Sequence, residues 1–165
     1  MKAVGDKLRD LALSAPSANE VDKFGRSAFN RYYYAAYLEV RNALMNIHKG
    51  WARSPHKDLP DLLRQKVCRE ALDQACRLER AGQLDASRKA MLITSIKICA
   101  EDLAELLKLG YAVRCVADYN PEELALRRGR NLHLGNCTAD AAQNWPVRAA
   151  RSAGQLQAKW RELGF

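Results

Sequence analysis

An all-α fold, an antiparallel bundle of four to five helices, is what this sequence predicts, on three observations. Apolar residues recur at steps of three and four along several long segments. Glycine (9) and proline (5) are scarce, which argues against a loop-rich or all-β chain. No stretch carries a strand signal, an internal repeat or a low-complexity bias. With 165 residues, 48% of them hydrophobic, the chain is expected to bury one core and form a single domain over 1–165.

The elements follow in order. Ser17 and Glu20 form a capping box, so a first long helix is predicted from there to about Ile47. Phe29, Tyr33, Tyr37, Val40 and Leu44 fall on its buried face. Gly25 either weakens its first turns by roughly 1 kcal/mol or admits another backbone. The segment from His48 to Asp58 reads as a basic loop, with His48, Trp51 and His56 at the surface. Pro60 suits the first turn of a second helix, which carries Leu63, Val67, Ala71, Ala75 and Leu78 and ends at Gly82. A third helix, capped by Asp85 or Ser87, carries Leu92, Ile96, Cys99, Leu103 and Leu106, with Gly110 placed like a C-terminal cap. Residues 122–133 read either as a short helix or as an ordered loop. A last helix is predicted after Thr138, where Pro146 either kinks it or sets its start. Trp145 and Trp160 read as core or interface anchors.

The N-terminal stretch has no sustained apolar core, because Asp6 and Asp10 interrupt it. It is therefore expected to be neither a signal peptide nor a membrane span, and the location expected is cytoplasmic. The five cysteines are odd in number and include no C-x-x-C pair. Unpaired, mostly buried thiols in a reducing compartment are expected, with no zinc, no other metal and no cofactor. No Gly-rich phosphate loop and no nucleophile elbow is present either.

Lys and Arg (27) outnumber Asp and Glu (19), for a formal charge of +8. That excess favours a polyanionic partner over an acidic one. Residues 60–119 hold ten cations and nine anions, whereas 1–59 hold ten against six and 120–165 seven against four. The excess therefore sits toward the two ends of the chain.

Two segments carry a more specific signal. One is Ser27-Ala28-Phe29-Asn30-Arg31-Tyr32-Tyr33-Tyr34-Ala35-Ala36-Tyr37, an R-x-Y-Y-A helix; the other is Arg114-Cys115-Val116-Ala117-Asp118-Tyr119-Asn120-Pro121, an R-x-x-A-D-Y-x-P run before the last helix. In this order the chain resembles the HEPN superfamily of small helical-bundle proteins over roughly residues 20–163. Members are often prokaryotic toxins or defence effectors. The resemblance implies metal-independent RNA cleavage from an R-x(4–6)-H motif paired across a two-fold homodimer, restrained by an antitoxin or nucleotidyltransferase partner. Arg114 takes the motif arginine. Tyr119 stands where many members have histidine, a variant found in the A-D-Y branch, and Cys115 replaces the polar residue that often follows the arginine.

The chemistry can be stated apart from the family. Cleavage by a 2′-hydroxyl needs a proton acceptor and a cation on the phosphate. A guanidinium grips phosphate oxygens in a planar fork and stays charged. A phenol, with an ordinary pKa of about 10, is a poor general base at neutral pH but a usable donor. Arg114, Asp118 and Tyr119 are thus the candidate catalytic residues, with Asp118 orienting Arg114; a cap beneath the last helix is the plainer role for Asp118 and Tyr119. Arg31 is either an ion-pair partner of Asp118 or a phosphate ligand. Tyr33 and Tyr37 fall in the core, and Tyr34, on the stripe with Arg31 and Leu38, is assigned to the dimer seam or site. Arg127, Arg128 and Arg130 are candidate phosphate contacts. His133, which follows Arg128 with four residues between them in an R-x(4)-H spacing, is a candidate imidazole or a loop residue.

Three functions are therefore open at this point: an endoribonuclease, a catalytically degenerate module binding RNA, nucleotide or a nucleotidyltransferase, and a helical bundle without a site.

Overall fold

The computed structural model describes residues 1–164. The chain is mostly helical and includes one small sheet. Helices α1 (Lys2–Ser14) and α2 (Ala18–Ile47) are followed by single 3-10 turns at Trp51–Arg53 and His56–Asp58. A continuous helical stretch comes next: α3 (Leu59–Asp61), a π-type segment (Leu62–Val67) and α4 (Cys68–Arg80). Then come α5 (Ala86–Tyr119), strands β1 (Ala125–Arg128), β2 (Asn131–Leu134) and β3 (Cys137–Thr138), and α6 (Ala139–Glu162). Contacts divide the chain into two compact units, 1–38 with 108–148, and 39–107 with the chain from Ala149 onward.

In the first unit the Ser17 capping box forms as predicted. Ser17 Oγ accepts from the Glu20 backbone N–H at 3.3 Å and donates to the Glu20 carboxylate at 3.0 Å. Helix α1 is not anticipated by the sequence pattern. Its buried residues are the small ones, Gly5 and Ala12, while Val4 and Leu11 are exposed, so a search for large apolar residues misses its inner face. The Tyr32 ring fills the place a Cβ would take at Gly5. Its hydroxyl donates to Asp6, which also accepts from Gln143 and Lys2.

Gly110 corrects an expectation. It does not end a helix: α5 runs through it to Tyr119. A Cβ there would stand 2.9 Å from Cδ2 of the buried Tyr33 ring, so the glycine serves close helix packing and not a left-handed cap. Gly25 likewise admits a neighbour, Ala125 of β1, 2.8 Å from where its Cβ would be.

Residues 125–138 add a small sheet to the mostly helical fold, where a short helix or an ordered loop was expected over 122–133. They form an antiparallel sheet in the order β1-β2-β3. Two-residue loops join the strands, Gly129-Arg130 and Gly135-Asn136, with Gly129 at φ 62° and Gly135 at φ 55°. Glycine first in a two-residue loop is the turn chemistry of a hairpin. Leu132 and Leu134 of β2 are buried, and α1 packs against this strand. At the other end, Thr138 Oγ1 accepts from the Ala141 N–H and starts α6, which continues through Pro146.

The second unit also buries apolar side chains. Leu63, Val67, Ala71 and Ala75 of the helical stretch before Gly82 are buried, as are Leu92, Ile96, Leu103, Leu156 and Trp160. Of the two candidate caps for α5, Asp85 takes the role, accepting from the Arg88 N–H at 2.8 Å. Trp51 is a correction: it is buried, edge-on to Trp160 at 5.7 Å between ring centroids. A single aromatic within a basic run gave no periodic signal of burial. All five cysteines are unpaired. Cys99 is buried and the other four are half-buried, more exposed than expected. No helix among the described residues is long and apolar enough to cross a membrane.

Candidate functional site

The motif arginine lies one turn from the C-terminus of α5. Arg114 and Asp118 are four apart and so share one helix face, and Nη2 meets Oδ2 at 2.7 Å. Asn30 of α2 donates from Nδ2 to the other Asp118 oxygen at 2.5 Å. Both members of the ion pair are largely shielded, at 17% and 24% exposure. The carboxylate thus holds the guanidinium from one side while α2 holds the carboxylate. Asn30 Oδ1 is buried with no hydrogen-bond partner, the cost of placing the amide this way round.

Tyr119 is the open member of the site. It is 71% exposed, and the Arg114 guanidinium carbon stands 5.0 Å from its ring centroid. Burial works against the Arg114 charge. Tyr119, the Asp118 charge and Cys115 outweigh it, so the pKa of this guanidinium is raised above its ordinary value. A hydrogen bond with Cys115 raises the Tyr111 phenol. Beneath them lies a tyrosine cluster, with Tyr33 at 6.1 Å from Tyr111, 5.7 Å from Tyr34 and 6.3 Å from Tyr37 between centroids. Burial keeps the Tyr33 hydroxyl protonated by raising its pKa. Tyr33 and Tyr37 are core residues and Tyr34 is half-buried.

Arg31 is exposed. The partners of Asp118 are Arg114 and Asn30, so of the two roles open to Arg31 the ion pair with Asp118 is not the one formed. One residue along a helix is a turn of 100°, which gives the inward position to Asn30 and the solvent to Arg31.

A second residue lacking any motif signal does more to build the site. Arg26, 14% exposed, donates from Nη1 to the Val116 and Ala117 carbonyls and from Nη2 to those of Asn120 and Glu123, at 2.5–3.1 Å. Val116 and Ala117 lie in the last turn of α5, where the Val116 carbonyl also accepts from the Asn120 N–H, and Asn120 and Glu123 follow the helix, so one guanidinium ties its end to the chain beyond it. Asp22 accepts from Arg26 Nε at 2.8 Å and from the Ala125 N–H at 2.7 Å, linking the end of α5 to β1. The signal available was the pair Asp22 and Arg26, four apart on a helix, with unlike charges.

The remaining candidates lie on or beside the sheet. Arg127 shares the inward face with Ala125 and donates to the Leu13 carbonyl at 2.6 Å, closing the end of α1. Arg128 faces outward opposite Asn131, and His133 outward opposite Leu126. Their sequence spacing thus becomes a cross-strand diagonal, not a helical pair. Arg128 and Arg130 are exposed and, with Arg31, make no ion pair or hydrogen bond among the described residues. No hydrogen bond, ion pair or ring contact among the described residues joins His133 to Arg114. No group of three or more His, Cys, Asp or Glu among the described residues is disposed to hold a metal ion.

This arrangement offers a fixed, charged guanidinium beside an accessible phenol, with three unpaired arginines in the same unit. No family model matches the chain, and no curated protein or solved structure matches it.

Proposed function

We propose that this chain is a HEPN-like, metal-independent endoribonuclease, the toxin or effector of a toxin–antitoxin or antiviral defence system, acting as a homodimer. The observation that carries the reading is the pairing of a shielded, Asp118-held Arg114 with the exposed phenol of Tyr119. In the reaction a substrate 2′-oxygen bonds to phosphorus, the bond to the 5′-oxygen breaks, and a cyclic phosphate is left. Arg114 holds the charge that builds on the non-bridging oxygens. Tyr119 gives its proton to the leaving 5′-oxygen, the 2′-hydroxyl proton goes to water, and water returns a proton to the Tyr119 phenolate. Asp118, held by Asn30, keeps the guanidinium in place.

Expression of wild type, Arg114→Ala and Tyr119→Phe in a bacterial host tests this. Growth arrest by wild type, lost in both variants, is the expected pattern. Arrest that persists in Arg114→Ala moves the site elsewhere.

A second reading is favoured by one observation: among the described residues no imidazole is hydrogen-bonded to Arg114, whose partners are Asp118, Tyr119 and Cys115, and a phenol is a poor base at neutral pH. The chain is then a catalytically degenerate HEPN-like module that binds RNA, nucleotide or a nucleotidyltransferase partner. Salt-sensitive RNA binding without turnover distinguishes it from the enzyme.

A further inference from the structure

A cavity of about 450 Å³ lies on the face of α5 carrying Val113, Val116 and Asn120, not the face carrying Arg114 and Asp118. Its other walls come from the β2–β3 loop and the first turns of α6, it opens to solvent, and it belongs wholly to the first unit. Its walls are apolar, from Leu109, Val113, Leu134 and Trp145. Leu109 is 53% exposed at the rim.

The polar side chains at the cavity are the Glu123 carboxylate, the Asn120 and Asn136 amides, the Cys137 thiol and the Thr138 hydroxyl, the last two already bonded to the backbone. Glu123 places its carboxylate over Gly135, with Oε1 only 3.8 Å from where a Cβ of that residue would sit. No hydrogen bond or ion pair to the Glu123 side chain is formed among the described residues, and no Lys or Arg lines the cavity. Asn120 uses its oxygen on the Glu122 N–H and keeps its amide nitrogen open. The Asn136 side chain is also without a partner. A chain with a net charge of +8 here presents an unpaired carboxylate beside a small apolar chamber.

We infer that this cavity is a guanine-binding pocket, in which the Glu123 carboxylate takes the N1–H and N2–H donors of the base and an asparagine amide donates to O6. The match is one of donors and acceptors. Guanine alone among the common bases presents two adjacent N–H donors beside a carbonyl, and a carboxylate accepts two parallel bonds. Adenine turns its N1 lone pair toward the carboxylate and is repelled. The apolar walls take the faces of the flat base, and the chamber is ample for a base with its ribose. The same edge is offered by a free guanine nucleotide and by an unstacked guanosine in an RNA strand. Only the strand source rests on the ribonuclease proposal.

Calorimetric titration of the full chain with guanosine, inosine and adenosine tests the pocket without any phosphate for the arginines to hold. Guanosine should bind about tenfold or more tighter than adenosine, with inosine, which lacks the 2-amino group, between them. Glu123→Ala should lose that preference with its helical content unchanged. Arg114→Ala should keep it, so a failure of the ribonuclease reading leaves the pocket standing and the reverse also holds. Displacement of guanosine by the trinucleotide UGU but not UAU assigns the pocket to a base in a strand. Displacement by neither assigns it to the free nucleoside or nucleotide. Equal binding of guanosine and adenosine, no binding of guanosine at millimolar concentration, or a Glu123→Ala variant that still prefers guanosine overturns the inference.

Discussion

At Arg114 the decisive feature is what holds the guanidinium. An arginine at a helix end has several rotamers, and Asp118 four residues on selects one of them at 2.7 Å. Replacing Asp118 by Asn removes the charge but keeps an acceptor. Both side chains keep some contact with solvent, at 17% and 24% exposure, and Arg114 can be rehydrated, so the stability lost should be about 1 kcal/mol. Single-turnover RNA cleavage should fall about tenfold, since the guanidinium loses its position. RNA affinity should hold or rise, because a negative charge has gone. Weakened binding with unchanged cleavage would count against an orienting role. Gly110 gives a second test. Alanine there gains up to about 1 kcal/mol of helix propensity, but its Cβ would stand 2.9 Å from Tyr33 Cδ2 in a ring with no exposed surface. Overpacking should win, with a net loss of about 1–2 kcal/mol in urea unfolding; a more stable variant contradicts the close approach. The sequence carried Arg114 and Asp118 legibly, as two members of one motif. Asn30 was not legible, because which of two neighbouring helix positions faces inward depends on a rotation that only packing sets.

Elements were readable where their own residues end them. The capping box at Ser17 and the glycine after α4, Gly82 at φ 69°, mark boundaries through side chain–backbone bonds or backbone geometry that no distant contact is needed to create. The far end of α5 was not readable, because its cap comes from Arg26, some ninety residues earlier in the chain. The strands were missed for a related reason. They are four, four and two residues long, too short for alternation to show, although both Gly-first loops were present in the sequence. Arg26→Ala tests the element-scale account. It leaves the carbonyls of Val116, Ala117, Asn120 and Glu123 without this donor and should cost about 1.5–3 kcal/mol. Amide exchange should quicken first over the last turn of α5 and β1, while α4 keeps its protection. Uniform exchange across the chain, or none beyond wild type, would show that the clamp does not hold this end.

For the molecule as a whole, the charge excess of the sequence resolves into arginines with different duties. Arg26 and Arg127 close helix ends, and Arg114 is paired with Asp118, whereas Arg31, Arg128 and Arg130 are unpaired. Composition could not make this division, since it counts charges without their partners. RNA binding should therefore weaken with salt, and each of Arg31→Ala, Arg128→Ala and Arg130→Ala should lower the slope of log K against log salt by about 0.7. Arg127→Ala should lower thermal stability and leave that slope nearly unchanged. An equal slope change for all four would contradict the division.

The most direct test of the central claim is cleavage of a structured RNA by the purified chain in excess chelator. Wild type should cut, and Arg114→Ala should slow the reaction by about a hundredfold or more, with Tyr119→Phe also impaired. RNA left intact at high protein concentration, or cut equally by wild type and Arg114→Ala, contradicts it.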